Sequence, residues 1–215
     1  MKSSTLDAPP GQMPAGQAGA DASVAGNARL TALTGMTLLV LFTAEIVTVI
    51  LGVSSVLTAH VAIGLALMPV VLLKVGSTGW RFVKYYRGDR AYVRRGAPPT
   101  YLRILGPALI AATVVLVASG MLAFAGPHWL HGAALTTHKT IFYPWLLIFI
   151  VHTASHFAEA MRLAAADLLA RSWARLAGVR ARRYVLAAAL VAGAVLAVAL
   201  AGHAGDYLHL YPPRH

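Results

Sequence analysis

Five runs of about 20 predominantly apolar residues, at 30–53, 57–75, 104–126, 137–156 and 184–202, constrain this chain more than any other feature. A helix needs about 20 such residues to cross the hydrocarbon core of a bilayer. In lipid, only helices and closed barrels satisfy every backbone polar group internally. The chain has 58% hydrophobic and 12% charged residues, whereas charged residues alone make up about 25% of an average soluble domain. The expected fold is therefore all-α, an integral membrane helical bundle of about five transmembrane helices.

The net charge of +11 would suit a nucleic-acid partner, but the basic residues fall between the apolar runs. Arg81, Lys84, Arg87, Arg90, Arg94, Arg95 and Arg103 follow the second run against a single Asp89, and Arg162, Arg171, Arg175, Arg180, Arg182 and Arg183 follow the fourth against Glu159 and Asp167. The connections 54–56 and 127–136 hold no Lys or Arg, and 203–215 holds only Arg214. Positive charge concentrates on cytoplasmic loops, so the N-terminus is expected inside, the C-terminus outside, and the chain multi-pass in an inner (plasma) membrane. A basic face against anionic headgroups accounts for the charge without nucleic acid. Residues 1–28 are rich in Gly, Ala, Pro and Ser and read as a disordered cytoplasmic tail, 29–203 as the transmembrane domain and 204–215 as a short extracytoplasmic tail.

Within the apolar runs, two histidines occupy equivalent places: His60 near the start of 57–75 and His138 near the start of 137–156. Fourteen residues after each stands another ligating or titratable group, Lys74 and His152 respectively. Fourteen residues advance an α-helix by four turns less about 40° and rise roughly 21 Å. His138 and His152 therefore share a face at opposite depths, as do His60 and Lys74. Both helices enter the membrane from the same side, so His60 is expected opposite His138 near the outer surface and Lys74 opposite His152 near the inner one. Ionisable groups inside a membrane are costly and mark functional sites by default. Two neutral imidazoles at one depth are what a haem held between two helices requires. The chain has no cysteine, which excludes an iron–sulfur cluster and a covalently attached c-type haem.

This arrangement resembles the bacterial transmembrane cytochrome b superfamily, of the ferric-reductase-like or small dihaem type, in which two helices each carry two histidines at about this interval. The stretch LTAHVAIGLALMPVVLLKVGSTGWRFVKYYRGD is also similar to small integral membrane proteins of actinobacteria. The resemblance covers roughly residues 30–160. It implies a membrane-embedded haem b protein that passes electrons across the bilayer, with His60 and His138 as ligands to the metal and His152 as a further cofactor-binding residue. At the inner level this chain has Lys74 where the family pattern has histidine, so one haem b is expected and a second is left open. No Gly-x-Gly-x-x-Gly fingerprint appears, and the expected partners are an electron donor or acceptor protein or a quinol.

Other readings stand beside these. His60 taken singly reads as an interface histidine bonded to a carbonyl, and Lys74 as a lysine reaching toward the headgroups. Glu45 lies in the outer half of the first run and reads as a hydrogen-bond acceptor for a ligand histidine, as a partner of Lys139, or as a neutral buried acid. Gly64 would let a macrocycle approach the backbone, Pro69 and Pro144 would bend the ligand helices, and Phe142, Tyr143 and Trp145 would pack against the ring. His152, His156 and Glu159 share one helix face and offer a metal site for a membrane enzyme, while Glu45, Lys74 and the span histidines offer an ion path for a haem-free transporter or assembly factor. His128, His131, His203, His209 and His215 fall on the outer side as solvated residues or a weak metal-binding surface. The third and fifth runs, without ionisable residues, read as walls.

Overall fold

The computed structural model describes residues 15–94, 96, 100–169 and 178–204. The expected tail residues 1–14 and 205–215, with His209, Arg214 and His215, lie outside the described residues, as do Arg95, Arg171 and Arg175. The described chain is helical and holds no strand: α1 (Ala15–Ile50), α2 (Leu57–Tyr86), α3 (Arg90–Arg94), α4 (Thr100–Ala125), α5 (His131–Leu168) and α6 (Val179–Leu200). Short 3₁₀ turns at Val53–Ser55, His128–Leu130 and Ala201–His203 gather at the end opposite the arginines.

Five of these helices are long and apolar enough to cross a membrane. Val40, Leu72, Val114, Leu147 and Val198 stand exposed on α1, α2, α4, α5 and α6. Such apolar surface on every long helix is tolerable only in lipid. The helices also outrun their apolar stretches. α5, with 38 residues, is roughly 57 Å long at 1.5 Å per residue, so its last turns extend beyond any hydrocarbon core. α2, α4 and α5 continue as single helices through Pro69, Pro107 and Pro144, as packed membrane helices do where neighbours satisfy the freed carbonyls.

Packing closes four helices into a ring, α1 against α2, α2 against α4, α4 against α5 and α5 against α1, with α6 outside on α2. α2 and α5 are thus diagonal across the bundle rather than adjacent. The core between them is built from Leu33, Leu38, Phe42, Leu67, Val70, Leu116 and Trp145. Bundles of this kind place cofactor and ligand sites between facing helices.

The N-terminal end departs from expectation. α1 begins at Ala15, inside the segment whose composition reads as a disordered tail. Tertiary partners order it: Val24 packs with Ala91 and Tyr92, Asp21 accepts a hydrogen bond from Arg94 at 2.8 Å, and the Asn27 side chain donates to the Ser77 carbonyl at 3.1 Å. The α2–α3 turn that positions these partners is written locally. Gly88 takes φ +76°, the left-handed conformation that ends helices on glycine. Asp89 then caps α3 by accepting the Ala91 N–H at 3.2 Å. Lys84, whose Nζ donates to the Asp89 carboxylate at 3.2 Å, holds that carboxyl below its ordinary range.

At the basic end, Asp167 on α5 is fully buried. It accepts hydrogen bonds from Arg182 on α6, at 2.5 and 3.0 Å, and from Arg29 on α1, at 3.2 Å. Arg183 Nε donates to the Asp167 carbonyl at 2.9 Å. Arg182 is itself buried. Part of the positive charge that reads in sequence as a headgroup-facing surface is therefore an internal clamp joining three helices.

Candidate functional site

His60 and His138 meet inside the bundle near the end opposite the arginines. Their ring centroids are 6.1 Å apart and their planes cross at 84°. His60 comes from the first turn of α2 and His138 from the second turn of α5, so matched offsets from two helix starts bring them to one level. The expected placement between two adjacent helices is corrected: the pair spans the diagonal of the ring, with α1 and α4 flanking it. That follows from packing, because the rings reach each other while α1 and α4 hold the two backbones apart.

Each imidazole is oriented through Nδ1. His138 Nδ1 lies 2.8 Å from the Leu116 carbonyl. A carbonyl only accepts, so this nitrogen carries the proton. His60 Nδ1 lies 2.8 Å from Thr48 Oγ1 and 3.2 Å from Glu45 Oε1. The Thr48 hydroxyl spends its one proton on the Glu45 carbonyl at 2.6 Å, which leaves His60 Nδ1 as donor. Both rings are thereby held in the Nδ1–H tautomer, with a lone pair at Nε2. Among the described residues neither Nε2 has a hydrogen bond. This is the outer-shell pattern that orients metal-ligating histidines.

The chemistry this pair supports is limited by its number. Among the described residues no three of His, Asp and Glu gather as metal ligands, and a bare transition metal in a protein generally takes three or four. Two histidines suffice where the metal brings its own equatorial ligands, as haem iron does. Two nitrogens, each about 2 Å from one metal, set imidazole centroids roughly 6 Å apart, and the observed spacing fits.

The surroundings sort the remaining candidates. Glu45 meets His60 rather than Lys139, and its Oε2 is buried without a partner. Gly64 lies against that carboxyl, where a Cβ would sit 3.4 Å from Oε1. Gly120 on α4 accommodates His138, since a Cβ there would stand 2.9 Å from Cε1. Thr48, the Leu116 carbonyl and Gly120 are site features that the sequence reading missed. Thr48 was findable, three residues after Glu45 on the same helix face, whereas a backbone carbonyl carries no sequence signal. The third apolar run is accordingly more than a wall. Trp145 is almost fully buried and donates to Thr113 Oγ1 at 2.9 Å. It packs with Phe42 at 4.9 Å and Phe149 at 5.0 Å between centroids, so it belongs to the mid-bundle core. Tyr143 faces outward.

Below that aromatic layer, Lys74, His152 and His156 line a single cavity of about 160 Å³ bounded by α1, α2, α4 and α5. Lys74 and His152 do reach one level there. Lys74 Nζ donates to the Thr31 carbonyl at 2.6 Å, close to Gly35, where a Cβ would come within 2.9 Å of Nζ. The Lys74 ammonium therefore turns into the bundle rather than out to headgroups. The His152 and His156 rings lie 4.9 Å apart. On the opposite end, His131 Nδ1 contacts the Ala123 carbonyl at 3.0 Å and His203 Nδ1 the Leu200 carbonyl at 3.3 Å, uses that serve the fold. Compared with known proteins, the chain matches no family model, no curated protein and no solved structure, so the reading of this site stands on its geometry.

Proposed function

We propose that this chain is a membrane-embedded haem b protein acting as a transmembrane electron-transfer subunit, with His60 and His138 as the axial ligands. The observation that carries the reading is the pair of half-buried imidazoles 6.1 Å apart, each locked through Nδ1 and each with Nε2 uncommitted. Haem, when bound, supplies reversible one-electron chemistry. The residues of the chain do the rest: Glu45 and Thr48 hold the His60 tautomer, the Leu116 carbonyl holds that of His138, and Gly120 leaves room for the His138 ring. Phe42, Trp145 and Phe149 fill the bundle beneath and keep water from crossing it.

The arrangement of charge supports an N-terminus on the cytoplasmic side of a plasma membrane. The electrons would come from, or go to, a protein or a quinol. The same aromatic layer weighs against the alternative of a haem-free ion path, because it interrupts any polar route between Glu45 with His60 and Lys74 with His152. The alternative of a membrane metal enzyme on His152, His156 and Glu159 lacks support from a three-ligand cluster among the described residues.

The test is a dithionite-reduced minus oxidised visible spectrum of the detergent-purified protein, with haem stoichiometry by pyridine haemochrome. One b-type haem per chain is expected, lost in His60→Ala and in His138→Ala. A featureless spectrum from protein expressed with ample haem overturns the proposal.

A further inference from the structure

The cavity on the arginine side of the aromatic layer is separate from the histidine pair, and its chemistry is of another kind. Two of its lining atoms, His152 Nδ1 and Thr78 Oγ1, are buried and make no hydrogen bond. A third group, the Lys74 ammonium, makes one hydrogen bond, to Thr31, although an ammonium carries three donors. No Asp or Glu lines the cavity. Buried polar groups without partners are costly enough to need an explanation. Here a hydroxyl, an ammonium and an imidazole converge with no acid to receive them, so the missing partner is one rich in acceptor oxygens.

Size and wall chemistry narrow the class. The volume of about 160 Å³ is close to that of an engineered apolar cavity of about 150 Å³ that takes up benzene. It therefore suits one six-membered ring and is far too small for a porphyrin. Phe42 and Phe149 contribute flat aromatic faces to the wall, which favour offset or edge packing against another ring. A flat ring bearing carbonyl or hydroxyl oxygens meets both demands. We propose that this cavity, with Lys74, Thr78 and His152 as hydrogen-bonding groups, is a binding site for the head ring of a membrane quinone. The inference stands on the cavity alone. Only the use of such a ring as an electron donor or acceptor would rest on the haem reading above.

The experiment uses the full-length protein in lipid nanodiscs, titrated with decylubiquinone, with bound quinone measured by extraction after equilibrium separation. Saturable binding near one per chain is expected, weakened at least tenfold in Lys74→Met and in Thr78→Val. The threonine change is nearly isosteric and so removes the hydroxyl with little disturbance to the fold. Leu109→Trp, which fills the cavity, is expected to abolish binding while helical content by circular dichroism stays that of the wild type. His138→Ala should bind quinone as the wild type does, whatever becomes of its haem, so failure of one reading is distinguishable from failure of the other. Three results overturn the inference: no saturable binding, binding indifferent to both Lys74→Met and Thr78→Val, or oleate binding with the same residue dependence in place of the quinone. A second haem per chain that disappears in His152→Ala would overturn it as well, by assigning the cavity to another ligand.

Discussion

Thr48 illustrates how much of the candidate site turns on single atoms. Its hydroxyl has one proton, and because that proton is committed to the Glu45 carbonyl, the neighbouring histidine must donate through Nδ1. Outer-shell groups of this sort are typically worth about 10–100-fold in metal affinity. Glu45→Ala should therefore leave the haem detectable but weaken its retention by about that factor, measured by transfer to apomyoglobin. Gly120→Ala acts on the other ligand by steric means. A methyl 2.9 Å from His138 Cε1 must push the ring aside, and haem per chain is expected to fall several-fold while circular dichroism is unchanged. Retention of full haem content by Gly120→Ala would show that His138 is not confined as described.

Among the elements, contacts between helices depend on features that hydropathy does not weigh. Where α6 crosses α2, a Cβ on Gly193 would lie 2.5 Å from the Ala66 carbonyl oxygen, the close approach that small residues permit between membrane helices. Gly193→Leu should separate the pair and lower the apparent Tm, as overpacking typically costs about 1–3 kcal/mol. Trp145 joins α1, α4 and α5 in the opposite sense, by filling space. Trp145→Ala is expected to cost about 3–5 kcal/mol, whereas Trp145→Phe should cost less, since the Thr113 hydroxyl keeps its bond to Leu109. Both effects are readable by thermal unfolding in detergent.

Across the whole molecule, the Asp167 clamp ties α1, α5 and α6 at the basic end. Removing one member of a buried ion pair strands the others, at about 3–5 kcal/mol. Asp167→Asn should accordingly lower the apparent Tm more than any substitution of an exposed arginine such as Arg87. Tm equal to wild type would mean that the clamp contributes nothing net. The asymmetry of charge along the bundle also makes a topological prediction. A C-terminal alkaline phosphatase fusion should be active and a C-terminal green fluorescent protein fusion dark, with the reverse pattern overturning the assigned orientation.

The helical class, the five long apolar helices and the levels of His60 against His138 were legible in the chain because each depends on short-range regularities: runs of apolar residues, and a helical repeat that converts sequence offset into depth. Lys74 with His152 followed by the same arithmetic. Tertiary structure decided what depends on rotation and neighbours. It set the diagonal placement of α2 and α5, the turning of Lys74 into a cavity, and the burial of Trp145 in the core instead of beside a ligand. It also ordered residues 15–28, whose own composition favours no structure, through partners 50 or more residues away in sequence. The physical reason is the same in each case. Depth along a helix accumulates residue by residue, whereas the direction a side chain faces is fixed only when several helices find a common packing.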